Sequence, residues 1–230
     1  MISIKMVVFD MAGTTVDEDN LVYKTVRKVI NDEGFEISLD EVLLHGAGKE
    51  KYQAITDILT ACTRIPDVKG IADKAFANFK PALEKAYTEK TIGTFHGVEA
   101  LLGELRDNNI KVVLNTGYDR KTAQQLIEKL GWKEGVQYDA LITADDVTKG
   151  RPHPDMIFKA MEQFNIIDPS TVLKAGDSEI DILEGKNAGC GLTVGVLSGA
   201  QTREQLEAAA PDYILNNVTE LKKILLNQIN

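Results

Sequence analysis

The chain has 230 residues, 43% apolar and 27% charged, which is enough material for a buried core and too even a mixture for a disordered or collagen-like polymer. At roughly 150 residues per domain, this length fits one enlarged domain or one domain carrying an insertion. Against 26 Lys and Arg stand 35 Asp and Glu, a formal charge of −9 without a local basic patch, which argues against nucleic acid or an anionic membrane as partner.

The apolar run Ile2 to Phe9 ends at Asp10 without a basic leader or a small-residue cleavage site. No later run approaches the ~20 apolar residues of a membrane span, so a soluble cytoplasmic protein is expected. The first strand is predicted at 5–9 and the next only at 110–114, far beyond the dozen or more residues that one parallel crossover needs. The intervening stretch from Leu21 to about Lys90 has a helical pattern, with turns at 32–34 and 45–48, and predicts a small helical insertion over the sheet. Its linkers fall near 17–20 and 91–97. Further strands are predicted at 140–142, 172–175 and 192–196, with a sixth at 213–215. Helices are predicted at 98–107, 121–130, 154–164, 181–188, 203–209 and 219–226. The alternation predicts an α/β fold, a Rossmann-like parallel sheet with helices on both faces.

Ligands of open α/β sheets bind beyond the carboxyl ends of the strands. Four such ends carry chemistry. The first is Asp10-Met11-Ala12-Gly13-Thr14-Thr15-Val16-Asp17, a carboxylate followed by a turn whose amides can cradle an anion. The second is Asn115-Thr116-Gly117, and the third leads into Lys149-Gly150-Arg151-Pro152-His153-Pro154. The fourth is Gly176-Asp177-Ser178-Glu179-Ile180-Asp181, with two carboxylates four residues apart. Singly, these could be turn residues, helix caps and a solvated arginine. Jointly they bring carboxylates for a hard cation such as Mg²⁺ together with a hydroxyl and a guanidinium for an anion, the makings of a phosphoryl-transfer site.

In this order, with helices inserted after the first, the four segments resemble motifs I to IV of the haloacid dehalogenase (HAD) superfamily across essentially the whole chain. Phe9 to Asp17 and Gly150 to Pro154 are similar, more narrowly, to phosphonatases. The resemblance implies a HAD-like core at 1–16 and 95–230 with an α-helical cap at 17–94. It implies that Asp10 is a nucleophile forming an aspartyl-phosphate, and that Mg²⁺ is bound by Asp10, the carbonyl of Ala12 and Asp177, with Asp181 supporting the metal site. Thr116 and Arg151 would hold phosphoryl oxygens, and Met11, Gly117, Gly48 and Tyr52 would contact substrate. A symmetric dimer through the cap is implied by the same analogy.

Ala12 discriminates among members of the superfamily, because most of its phosphatases place there an Asp that protonates the leaving alkoxide. Cleavage of a C–P bond needs an electron sink instead, such as an imine between a lysine and a neighbouring aldehyde. Lys49, after the Gly-rich turn Gly46-Ala47-Gly48, matches the Schiff-base lysine of phosphonatases in position. Tyr52 stands where phosphonatases carry His, Met11 replaces a Trp, and the cap is shorter. Lys49 is therefore read either as an imine former or as a lysine that only recognises substrate. The leading expectation is a Mg²⁺-dependent hydrolase of a small phosphonate. The alternatives are a phosphate monoesterase lacking the usual acid and a non-enzymatic phospho-acceptor switch.

Gly46 to Lys49 is not a P-loop, because Leu43 and Glu50 occupy its Gly and hydroxyl positions. The three histidines lack zinc spacing. Cys62 and Cys190 form no disulfide framework and are expected as small buried hydrophobes in a reducing compartment.

Overall fold

The computed structural model describes residues 3–225. Its elements in chain order are β1 (Met6–Phe9), β2 (Val16–Asp17), α1 (Leu21–Asn31), α2 (Leu39–Gly46), α3 (Lys51–Cys62), α4 (Val68–Glu89), β3 (Gly93–Thr94), α5 (Val98–Asp107) and β4 (Lys111–Thr116). They continue with α6 (Arg120–Leu130), β5 (Ala140–Thr143), α7 (Asp155–Gln163), β6 (Val172–Gly176), α8 (Glu179–Ala188), β7 (Leu192–Val196), α9 (Arg203–Ala208), β8 (Tyr213–Leu215) and α10 (Leu221–Leu225). The chain divides into two compact units, Met1–Asp17 with Ile92–Asn230, and Glu18–Thr91.

The first unit is built on a six-stranded parallel sheet in the order β5-β4-β1-β6-β7-β8. Every residue of β1 is fully buried, which is why this strand reads as an unbroken apolar run rather than an alternating one. Helix α5 packs on β4, α7 on β5 and β4, and α8 on β6 and β7. Met6, Val8, Val113, Ile142, Met156, Ile157 and Val172 lie in one continuous core cluster. From β1 the chain eventually builds β4 and β5 on one side and β6 to β8 on the other. The strand order therefore reverses at β1, which opens a crevice at its carboxyl end. Register keeps the three strands level there, with Phe9 opposite both Leu114 and Ala175.

The division between the units falls within the predicted linker stretches, which also carry or border short strands. Val16 and Asp17 pair antiparallel with Thr94 and Gly93, and the Thr94 hydroxyl donates to the Thr15 carbonyl at 2.7 Å. Two-residue strands lie below any detectable period, so only their pairing reveals them. The last predicted helix is shorter: a 3₁₀ turn at Val218–Glu220 leads into α10, and Leu226 lies outside the described residues. Among the described residues no helix is long and apolar enough to cross a membrane.

The second unit is a packed set of four helices, in which α1 meets α4, α3 meets α4 and α2 meets α3. Its core holds Val26, Ile30, Ile55, Ile58, Leu59 and Phe79. Local chemistry sets the helix starts. Ser38 and Glu41 form a reciprocal capping box at α2, the Glu50 carboxylate accepts from the amides of Tyr52 and Gln53 at α3, and Asp67 accepts from Gly70 at α4. Glu18 is buried at the entry to this unit, where its carboxylate accepts from the Tyr87 hydroxyl at 2.6 Å, near the end of α4.

Candidate active site

Residues after β1 fold into a tight turn on the Met11 carbonyl, which accepts from the amides of Thr14, Thr15 and Val16 at 3.2, 2.9 and 2.8 Å. The backbone of Asp10 continues the sheet, its amide donating to the Ala175 carbonyl at 2.9 Å. Met11 is fully buried and Ala12 partly so. Gly13 has φ +77°, a conformation that an L side chain rarely adopts, and a Cβ there would press on Asp177 Oδ2 at 2.5 Å. A Cβ at Gly199 would collide with the same carboxylate. These two glycines admit Asp177 next to the loop after β1.

Six charged side chains meet at this end of the sheet: Asp10, Arg151, Lys174, Asp177, Asp181 and Glu184. Arg151 Nη2 lies 2.9 Å from Asp10 Oδ1, its Nη1 donates to Asp181 Oδ1, and its side chain is only 6% exposed. Lys174 Nζ, at 0% exposure, sits 2.9 Å from Asp181 Oδ1 and 3.4 Å from Glu184 Oε2. The Ser178 hydroxyl donates to the other Asp181 oxygen at 2.5 Å, and the Asn115 amide donates to Glu184 Oε1 at 3.0 Å. Asp177 Oδ2 accepts from the Ala200 amide at 2.6 Å. Thr116, 2% exposed at the end of β4, accepts from the Tyr118 amide through its hydroxyl oxygen, and a Cβ on Gly117 would meet Arg151 Nη2 at 3.4 Å.

The protonation pattern follows from this packing. Burial raises Asp10, and the facing Arg151 only partly offsets it. Burial, then the charges of Asp10 and Asp181, push Asp177 well above the ordinary carboxylate range. Asp181 behaves oppositely: burial works against its charge, but Arg151 and then Lys174 outweigh it and bring its pKa down to about 2. Burial alone would lower Lys174, yet Asp181 and Glu184 hold it charged.

Four buried carboxylates share the site with two buried cations, so two negative charges are formally uncompensated. That imbalance, together with the raised Asp10 and Asp177, fits a divalent cation held by hard oxygen donors. Among the described residues no three His, Cys, Asp or Glu side chains form a metal-holding group. Asp181 spends its oxygens on Arg151, Lys174 and Ser178. Asp10 and Asp177, whose charges act on each other, are the carboxylates left to serve as hard oxygen donors.

The residues predicted in the helical insertion lie in the other compact unit. Lys49 precedes α3, whose cap is Glu50, and its ammonium is ion-paired with Asp57 at 2.5 Å with about a third of its side chain exposed, 34%. Gly48, at φ +73°, donates its amide to the Tyr23 hydroxyl at 2.9 Å. The Tyr52 hydroxyl donates to Asp73 at 2.7 Å and its ring meets Phe76 edge-on. The cysteines are less buried than expected. Both are intermediate in exposure, although Cys190 packs against the core and burial pushes its thiol up to about 12.

Lys174 and Glu184 escaped the sequence reading, and Asn115, quoted at the end of its strand, was given no role there. Two signals were available: a lysine in the middle of an otherwise apolar strand, and Asp181 with Glu184 one turn apart on the same helix.

A family model described as haloacid dehalogenase-like hydrolase matches residues 7–194. The phosphonoacetaldehyde hydrolase of Latilactobacillus sakei is 31% identical over 98% of this chain and 96% of its own length. That of Lactiplantibacillus plantarum is 32% identical over 99% and 97%. Among solved structures, a phosphonoacetaldehyde hydrolase-like protein from Oleispira antarctica superposes with a TM-score of 0.81 at 21% identity, covering 97% of this chain and 92% of its own. The chain belongs to the haloacid dehalogenase-like hydrolases, and its α/β sheet is the fold of that class. It is a hydrolase, similar to phosphonatases along almost its full length.

Proposed function

We propose that this protein is a Mg²⁺-dependent hydrolase that cleaves the C–P bond of a small phosphonate carrying an adjacent aldehyde, through an aspartyl-phosphate on Asp10. The observation that carries the reading is the buried Asp10–Arg151 pair at the end of β1 with a methyl group, not a carboxylate, at position 12. A nucleophile and an anion-holding guanidinium are present, while the acid expected for an alkoxide leaving group is missing.

In this reading an Asp10 carboxylate oxygen forms the new bond to phosphorus. Arg151 and the Thr116 hydroxyl hold the phosphoryl oxygens, and Asp181 orients Arg151 rather than ligating directly. Mg²⁺, held by Asp10, Asp177 and the Ala12 carbonyl, would supply positive charge to the phosphoryl group when bound. Lys49 condenses with the aldehyde to an imine with loss of water, and the C–P electron pair passes into that imine as an enamine while Asp10 takes the phosphoryl group. The enamine is protonated at carbon and hydrolysed to the phosphorus-free aldehyde and free Lys49, and a further water cleaves the acyl phosphate to regenerate Asp10 and release phosphate. Met11, Gly117, Gly48 and Tyr52 are assigned to substrate contact.

One observation favours a second reading, hydrolysis of a phosphate monoester. Lys49 is paired with Asp57 instead of lying in the apolar surroundings that activate a lysine nucleophile, and Tyr52 stands in place of a His. Borohydride added during turnover of phosphonoacetaldehyde separates the two. The first reading expects a reduced adduct on Lys49, lost in Lys49→Ala, and phosphate release that needs Mg²⁺. No adduct, with faster phosphate release from monoesters, would replace it by the second. No release from either class would sink both.

A further inference from the structure

Arg151 reaches Asp10 with one amino group and Asp181 with the other, so the direction of its guanidinium depends on where Asp181 is held. The oxygen of Asp181 that Arg151 grips is the same Oδ1 that Lys174 contacts at 2.9 Å. Lys174 also donates to Asn115 Oδ1 at 3.4 Å and lies within ion-pair distance of Glu184 Oε2, 3.4 Å, without a hydrogen bond to it. Glu184 and Lys174 are both wholly buried in a strand–helix contact between β6 and α8, packed so closely that a Cβ on Gly185 would meet Lys174 Cβ at 2.8 Å.

We infer that Lys174, flanked by Glu184 and Asn115, is a positioning residue for the hydrolytic reaction: through the shared Asp181 oxygen it fixes the guanidinium of Arg151 against Asp10 and the phosphoryl group. A buried ion pair is a poor way to gain stability, since apolar replacements of similar volume often do as well or better. The energetic cost of keeping Lys174 and Glu184 in the core is explained when their product is orientation. The inference rests on the phosphoryl-transfer reading of Asp10 and Arg151.

The test is a double-mutant cycle read by two probes, turnover of p-nitrophenyl phosphate with Mg²⁺ and binding of inorganic phosphate by calorimetry. The pair is first replaced as a unit, Lys174→Met with Glu184→Leu, so that no unpaired charge is left buried. The expected result is a cooperative melt close to that of the parent, kcat lower by about tenfold, and phosphate affinity lower by a similar factor. In an Arg151→Ala background the same two changes should cost less than about twofold, because the group they position is gone. If the double change does not fold, Glu184→Gln, which keeps the shape, should lower kcat by about threefold in the parent background and leave phosphate affinity unaltered in the Arg151→Ala background. Unchanged kcat and phosphate affinity in a folded variant, or losses that multiply fully with Arg151→Ala, overturn this inference alone. A parent that neither binds phosphate nor releases it from any substrate overturns the inference and the reading beneath it together.

Discussion

Six charged side chains meet with almost no exposure in the unit built on the sheet, while in the helical unit Lys69–Asp73 and Lys28–Asp32 pair one turn apart in open solvent. The difference is one of consequence as well as of place. A charge in a dry site cannot be rescued by water, so each of Asp10, Arg151, Lys174, Asp177, Asp181 and Glu184 depends on the position of its neighbours, and their pKa values move apart. An exposed pair is screened by salt and replaced by water at little cost. Chemistry that needs fixed charge belongs in the first setting. The second suits a surface whose charges water can solvate.

The largest expected effect follows from Asp10→Asn. It keeps the shape of the side chain and removes the charge that attacks phosphorus in the proposed reading, so phosphate release should fall by about 10³-fold or more. Because burial already disfavours the Asp10 carboxylate and the site carries excess negative charge, the metal-free variant should melt at or above the temperature of the parent. A variant that turns over normally, or one that unfolds, would break the picture of a charge kept for chemistry at the expense of stability. Next in size is Ala12→Asp, which supplies the missing acid. Monoester hydrolysis should rise by about tenfold over the parent, measured across a substrate panel. No rise with any monoester would show that the methyl group at position 12 is not what limits that reaction.

Much of this arrangement was legible from the sequence, for a definite reason. Parallel strands buried on both faces must be largely apolar, so the inner strands stood out as short apolar runs, while the edge strand β8, less buried than the rest, carried a weaker signal of the same kind. Asp10, Thr116 and Asp177 could be singled out as candidates because each directly follows or ends such a run. Lys174 was passed over by the same logic, since a lysine inside a strand reads as an edge or a solvent-facing position until it is set beside Asp181 and Glu184, one turn apart on the helix that follows. The pairing of β2 with β3 was hidden by its brevity and by the more than seventy residues between Val16 and Thr94. Lys49 could be located but its partner could not, because Asp57 lies eight residues away across the start of a helix.

Two smaller effects sharpen the contrast on either side. Asp139, at 10% side-chain exposure, accepts from the Val112 amide at 2.9 Å and lies 3.2 Å from both Arg106 and Lys111. Burial would raise its pKa, but the Val112 amide and the two cations together bring it below the ordinary value. A depressed carboxylate stabilises the fold fully above its unfolded pKa, near 4, and that contribution is lost as pH falls through the folded value. Asp139→Asn should therefore cost about 1–3 kcal/mol in urea unfolding at pH 7, and the gap to the parent should close as pH falls below the ordinary carboxylate range. A gap that persists in acid would mean that Asp139 acts by shape alone.

Asp73→Ala is the counterpart in the helical unit. Asp73 is ion-paired with Lys69 at 2.7 Å and accepts from the Tyr52 hydroxyl, and both contacts lower its pKa, yet the Lys69 and Asp73 side chains are 80% and 49% exposed. Water can take over both contacts, and at 0.15 M salt the charge pair is largely screened. The melting temperature should stay within about 1 °C of the parent. What the change does release is the Tyr52 hydroxyl, so any effect belongs in KM, where Tyr52 touches substrate in the proposed reading, and not in stability. A clear loss of melting temperature would show that the helical unit also depends on fixed charge, and the division between a rigid charged site and a permissive surface would fail.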